Sequence, residues 1–334
     1  MLGTVLGLAF AAAFGVNSII TRRGVLRVSS NYIANVSILS GTVFFLLACL
    51  VAGELLKLWE FSWQTYLFFA LSGIVHFALG RTFGYRAIQL IGSTRSGIVT
   101  GLNAIVSVVL AVVILHETLT LIAVLGILLS MTGPILVAFK EQTVSRAAPA
   151  KTPVLAGVPS HAGAPANAST NPHPKAGSSA GDVDRRTLVL GLLFGAGSAV
   201  FWGSSAIFIK LGLDSGGSSL AGSLIAYVAA SIAVTPALSS RRSRKELRAS
   251  NWGDLRLALM SGMSTNIAQL LRYIALAHAS VITVSLMSRT IPLWVLTFAF
   301  IFNRQHESFS RWVLVGNGLL LAGTVLVIID ELLR

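Results

Sequence analysis

The chain has 334 residues, of which 54% are hydrophobic and only 11% charged, with a net charge of +13. The charged share is less than half of the roughly 25% usual in soluble domains, which excludes an ordinary water-soluble globule, and the Lys and Arg sit in gaps between apolar stretches rather than on one amphipathic face, which argues against a nucleic-acid partner. Cys49 is the only cysteine, so neither an intrachain disulfide nor a cysteine-based metal site can form.

A spanning helix needs about 20 mainly apolar residues to cross a hydrocarbon core about 30 Å thick. Ten such stretches follow in chain order: Leu2–Thr21, Tyr32–Val51, Trp63–Ile88, Ser93–Leu115, Leu119–Phe139, Leu188–Ile209, Ser219–Leu238, Trp252–Ala277, Ile282–Phe302 and Trp312–Ile329. They are continuous runs without the alternating period of a membrane strand, so helices are expected and a barrel is not. The first run has no basic residue before it and Arg22 and Arg23 behind it, the wrong polarity for a cleaved signal peptide, so it reads as a retained helix.

Between the fifth and sixth stretches the composition turns to Ala, Pro, Ser, Gly and His. Such a segment buries too little apolar surface to offset its ordering entropy. The expected organisation is therefore a first five-helix unit over residues 1–139, a flexible linker over 140–187 and a second five-helix unit over 188–334. An internal repeat supports the division. An offset of 188 places Gly15 on Gly203, Arg22 on Lys210, Gly24 on Gly212, Tyr85 on Tyr273 and Ala87 on Ala275, and an offset of 190 places His116-Glu117 on His306-Glu307, Gly126 on Gly316 and Gly133 on Gly323. A unit with five crossings is odd, so its copy enters from the opposite side. The expected fold is an all-α membrane protein of ten transmembrane helices in two inverted five-helix repeats, an arrangement typical of secondary transporters.

The segment Trp202-Gly203-Ser204-Ser205 with Lys210, its echo Gly15-Val16-Asn17-Ser18 with Arg22, Pro292 followed by Glu307, and the paired glycines of each last span resemble the EamA type of the drug/metabolite transporter superfamily. The resemblance covers nearly the whole chain apart from the linker. It implies ten helices, a central cavity lined mainly by the third, fourth, eighth and ninth spans, and both chain ends in the cytoplasm. It implies no particular cargo. Two departures stand out: the linker is long, and Ala104 occupies the position matching Pro292. The charges give a different orientation. Arg22, Arg23, Arg27, the linker cations and the run from Arg241 to Arg248 all fall on one side, against Lys57, Lys210 and Arg334 on the other, which places the linker in the cytoplasm and both ends outside. The expected location is the cell (inner) membrane of a prokaryote.

Ionisable groups inside spans are costly and face a cavity by default. Here they are His76, Arg81, Arg86, Arg272 and Arg289, with no Asp or Glu well inside any span. Ala78, Arg81 and Tyr85 share a helical face, and their repeat partners Asn266, Gln269 and Tyr273 do so at the same spacing, with Arg272 adjoining. This recurring stripe reads as a shared cavity lining or as hydrogen-bonding glue between helices. Arg289 stands three residues before Pro292, whose ring breaks the helix, and either binds an anionic group or snorkels onto the freed carbonyl. Arg86 reads as snorkelling. His76 is a proton carrier or a satisfied structural residue. Asn17 and Ser205 match across the repeat and either touch substrate or serve close packing. Glu117 and Glu307 read as caps of the helices that follow them. The glycine pairs 126/133 and 316/323 mark close helix contact, within the chain or between the subunits of a homodimer.

No His-Glu-x-x-His pattern, intramembrane carboxylate pair, glycine-flanked serine or phosphate-binding loop occurs. The expected function is a non-enzymatic secondary transporter without cofactor or metal, carrying a small metabolite by alternating access. The absence of a buried acid favours neutral or anionic cargo. The alternative class is a membrane-embedded enzyme acting on a lipid or lipid-linked substrate.

Overall fold

The computed structural model describes residues 2–25, 29–147, 185–238, 250–302 and 311–333. Helices dominate, and no strand occurs among the described residues. They are α1 (Leu2–Val25), α2 (Ser30–Val51), α3 (Trp63–Gly73), α4 (Arg81–Thr100), α5 (Asn103–Leu115), α6 (Leu121–Ala147), α7 (Arg185–Asp214), α8 (Ser219–Leu238), α9 (Trp252–His278), α10 (Val281–Met287), α11 (Ile291–Phe302) and α12 (Arg311–Leu333). Short polar side chains set several starts. The hydroxyls of Ser29, Ser62 and Ser280 accept the N–H three residues on, and Asn251 with Asp254 closes a reciprocal capping box ahead of α9.

Among the described residues, six passages are long and apolar enough to cross a bilayer: Leu2–Thr21, Asn31–Val51, Trp63–Gly92, Arg185–Asp214, Ser219–Pro236 and Val281–Phe298. Asn103–Leu115, Leu121–Gly133 and Val315–Asp330 are shorter apolar helices. Polarity is turned outward-in relative to a soluble protein. Val51, Val113, Leu193 and Ile232 are exposed, whereas Asn17, His76, Asn266 and Gln269 are buried. An apolar exterior around a polar interior suits hydrocarbon as the solvent.

Three local features depart from the expected runs. The third passage is not uniform: a π-helical turn over Ile74–Gly80 joins α3 to α4, and α4 itself kinks at Gly92 (φ 80°, ψ 165°), where the third passage ends and the fourth begins. The fourth is interrupted, because α4 ends at Thr100 and α5 restarts at Asn103 after a tight turn in which the Leu102 N–H donates to the Val99 carbonyl at 3.1 Å. The ninth breaks at the matching place, in a 3-10 turn over Ser288–Thr290. Ala104 in place of a proline therefore does not spare the first half a break. Residues 140–147 and 185–187, assigned to the linker by composition, are helical, since Lys, Glu, Gln, Arg and Ala prolong a helix readily once it leaves the apolar layer. The rest of the linker, Arg241–Arg248 and His306-Glu307 lie outside the described residues.

Packing partners exchange in pairs. α1 lies along α9, and α7 along α4; α2 lies along α9, and α8 along α3; α11 lies along α1, and α5 along α7. Replacing each helix by the one about 188 residues away turns the first member of each pair into the second. α6 packs along α12, and here the glycine faces meet one another: a Cβ on Gly133 would stand 2.1 Å from the Gly316 carbonyl oxygen, and one on Gly323 2.5 Å from that of Gly126. These faces meet within the chain, one of the two readings that the glycine spacing allows.

Candidate functional site

The centre of the bundle is organised by the π-helical turn. A π-turn shifts the hydrogen-bond ladder by one residue and turns carbonyls aside, a distortion frequent at functional sites. α7 supplies donors for them: Trp202 Nε1 donates to the His76 carbonyl at 3.1 Å, and Ser198 Oγ to the Gly80 carbonyl at 2.8 Å. The turn thereby aims the buried His76 imidazole at residues from the other half. Its Nδ1 lies 3.1 Å from Ser205 Oγ and 3.3 Å from Arg272 Nη1, and its Nε2 lies 3.1 Å from the Gln269 amide. Arg272 Nη2 also donates to Ser205 Oγ at 3.1 Å. A guanidinium has no acceptor, so in its contact with His76 Arg272 is the donor and Nδ1 the acceptor.

Two small cavities flank His76. The first is lined by His76, Asn103, Ser107, Arg272, Ser285, Ser288 and Arg289 among others. Arg289 lies within the Ser288–Thr290 turn and donates through Nη2 to Asn103 Oδ1, so the two helix breaks are joined by one side-chain contact. Its Nε is buried without a partner. Pro292 comes just after that break, as the second residue of α11, where a missing N–H costs little. The second cavity holds Asn17, His76, Arg81, Tyr85, Ser261, Thr265 and Gln269. Arg81 donates to the Ala34 carbonyl at 3.1 Å and stands 5.6 Å over the Phe77 ring, while Asn17 Oδ1 accepts from Thr21 at 3.1 Å and Ser261 at 3.3 Å. Each cavity measures about 30 Å³, room for about two waters and far below the several hundred Å³ of a metabolite pocket.

The expected residues divide. Arg81, Tyr85, Asn17 and Gln269 face the second cavity, Arg272 and Arg289 the first, and His76 both. Ser205 joins through its bonds to His76 and Arg272. Tyr273 and Asn266 line neither cavity. The Tyr273 hydroxyl shares a 2.9 Å hydrogen bond with Ser72 and its ring packs near Phe69, whereas Asn266 is fully buried beside Gly41 with both amide atoms unpartnered. Helix geometry explains the split. At about 100° per residue, Asn266 and Tyr273 project within about 20° of each other, while Gln269 and Arg272 project farther round toward His76. Arg86 is exposed.

Glu117 corrects a second expectation. The helix after it begins only at Leu121, where Thr120 Oγ1 accepts the Ala123 N–H at 3.1 Å and donates to Asp330 at 2.6 Å. His116, in the left-handed region at φ 54°, turns the chain so that Glu117 reaches across to α10 and accepts the Val281 and Ile282 N–H groups at 2.7 and 3.0 Å. Asn103, Ser107, Ser285 and Ser288 were not marked by the sequence; their one signal is proximity to the helix breaks.

The sequence model of the EamA-like transporter family matches residues 1–139 and again 189–329. No curated protein matches the chain. Twenty chains of known structure match it. One of them, a crystal structure, superposes with a TM-score of 0.68 over 97% of this chain and 96% of its own at 14% identity, a likeness of fold alone.

Proposed function

Because this chain belongs to the EamA-like transporter family, and so to the drug/metabolite transporter superfamily of multi-pass membrane proteins, we propose that it is a secondary transporter moving a small neutral or anionic metabolite by alternating access. In this reading residues 1–139 and 188–334 are two inverted five-helix repeats joined by the 140–187 linker. The exchange of packing partners at an offset of 188 and the matched breaks after Thr100 and at Ser288–Thr290 support that symmetry. Interrupted helices at a repeat interface are where such transporters place cargo.

The observation that carries the proposal is His76, held from the first half by Ser205, Gln269 and Arg272 of the second, with one cavity on either side. A rocking motion that parts the halves would break these contacts on one face and keep them on the other, opening each cavity in turn. No residue in this arrangement reacts with cargo. Arg81, Tyr85, Arg272, Arg289, Asn17 and Ser205 bind or orient it.

Purified protein in sealed vesicles, offered a panel of labelled neutral and anionic metabolites, should give saturable uptake of at least one, absent from protein-free vesicles and lost on His76→Ala. Uptake that does not saturate and ignores His76→Ala contradicts the proposal.

A further inference from the structure

We infer that the first cavity binds the carboxylate or phosphate head of an organic anion between Arg272 and Arg289, and that this anion releases the contact joining the two helix breaks. The inference rests on the transporter reading and specifies its cargo. Arg272 and Arg289 line this cavity, Arg81 lines the other, and no Asp or Glu lines either. Among the described residues none of the three guanidinium groups has a carboxylate partner; the ion pair found there joins Lys210 to Asp214 at 3.3 Å, at the end of α7. Arg272 and Arg289 are half-buried inside spans, where a cation without a counter-charge is costly, and such groups mark the path of a substrate or ion.

The acceptors that these arginines do have are all neutral. Arg272 is held by Ser205 Oγ and His76 Nδ1, Arg289 by Asn103 Oδ1, and Arg289 Nε has no acceptor at all. A neutral acceptor makes a weaker bond to a guanidinium than a carboxylate or phosphate does, and only the latter engages it through two parallel N–H donors. Ser285 and Ser288 add hydroxyls to the same wall. An entering anion therefore outcompetes Asn103 for Arg289. Asn103 opens α5 and Arg289 sits in the turn before α11, so that exchange unties one break from the other. Neutral cargo cannot make this exchange, because it offers no acceptor stronger than the amide already in place.

The test uses full-length protein in detergent and thermal unfolding as the readout. The probes are succinate for the carboxylate head, glycerol 3-phosphate for the phosphate head, and succinamide and glycerol as uncharged counterparts. At least one anion should raise Tm saturably while its uncharged counterpart does not, and the arm that responds identifies the head group. Arg289→Gln should weaken the half-saturating concentration about tenfold or more, the factor expected for one charge-assisted hydrogen bond. Asn103→Asp supplies the missing counter-charge from the protein, so it should raise Tm without ligand and abolish the response to anions. No saturable shift with either anion, an equal shift with the uncharged counterpart, or an undiminished shift in Asn103→Asp each overturns the inference. An anion that binds but is never carried overturns the transporter reading instead, and a neutral solute carried with no anion response does the reverse.

Discussion

Removing the Glu117 carboxylate should cost more than an end-of-helix substitution ordinarily does. Its two oxygens take the N–H groups of Val281 and Ile282 at 2.7 and 3.0 Å, and those residues are 0% and 5% exposed. Neither donor has water to turn to. Hydrogen bonds to a charged acceptor contribute about 1.5–3 kcal/mol, and an ordinary cap about 1 kcal/mol, so Glu117→Ala should lose about 3 kcal/mol. Glu117→Gln keeps one oxygen and should lose about half as much. Equilibrium unfolding in a detergent–denaturant series ranks wild type above Glu117→Gln above Glu117→Ala. Because Glu117 ties the end of α5 to the start of α10, both variants should also leave the first cavity easier to enter. If both variants stay within about 0.5 kcal/mol of wild type, the level of an ordinary surface change, while Thr120→Ala carries the larger loss, then Glu117 serves its own end of the chain and the reasoning is refuted.

Gly133→Ala should destabilise by about 1–3 kcal/mol, since its Cβ would meet backbone 2.1 Å away, whereas Gly318→Ala, with nothing within 4 Å, should be neutral or slightly stabilising; equal Tm values for the two would contradict the α6–α12 packing. Deleting most of the segment between Ala147 and Gly181 should leave transport intact and alter stability by a few tenths to about 1 kcal/mol, so a variant that inserts normally yet carries nothing would assign the segment a further role. Reporters fused after Arg334 should be active outside and silent in the cytoplasm, following the positive charges of the linker and of Arg241–Arg248; a cytoplasmic signal would show that the usual orientation of the family overrides them.

Lipid makes the crossings legible in sequence, because every backbone group must be satisfied within its own helix and every outward side chain must be apolar. The run Trp252–Ala277 accordingly falls almost on α9, Trp252–His278. Interruptions of those helices are a different matter. The break at Ser288–Thr290 is announced by Pro292, but the break after Thr100 has only Gly101 to mark it, and the π-turn at Ile74–Gly80 has no residue signature. His76 stood out as an ionisable residue at mid-span. That it would touch Ser205, Gln269 and Arg272 together depends on how α7 and α9 cross, which one helix's periodicity does not contain. The stripe of Asn266, Gln269 and Tyr273 was real as a spacing, yet a helix buried on several sides presents each part of a stripe to a different neighbour. Glu117 shows the same limit: its distance along the chain suggested a local cap, and the fold gave it a partner 164 residues away.

Alternating access is tested most directly at Ser285, which lines the first cavity and is nearly buried. Cys49 is the only cysteine, so Cys49→Ala gives a background in which Ser285→Cys is the sole thiol. Sealed vesicles of known orientation are exposed to a membrane-impermeant thiol reagent from one side or from the other, with and without transported solute. The account predicts that this one cysteine is labelled from either side and that solute changes the ratio of the two rates. Labelling from a single side under every condition, or from neither, would contradict it.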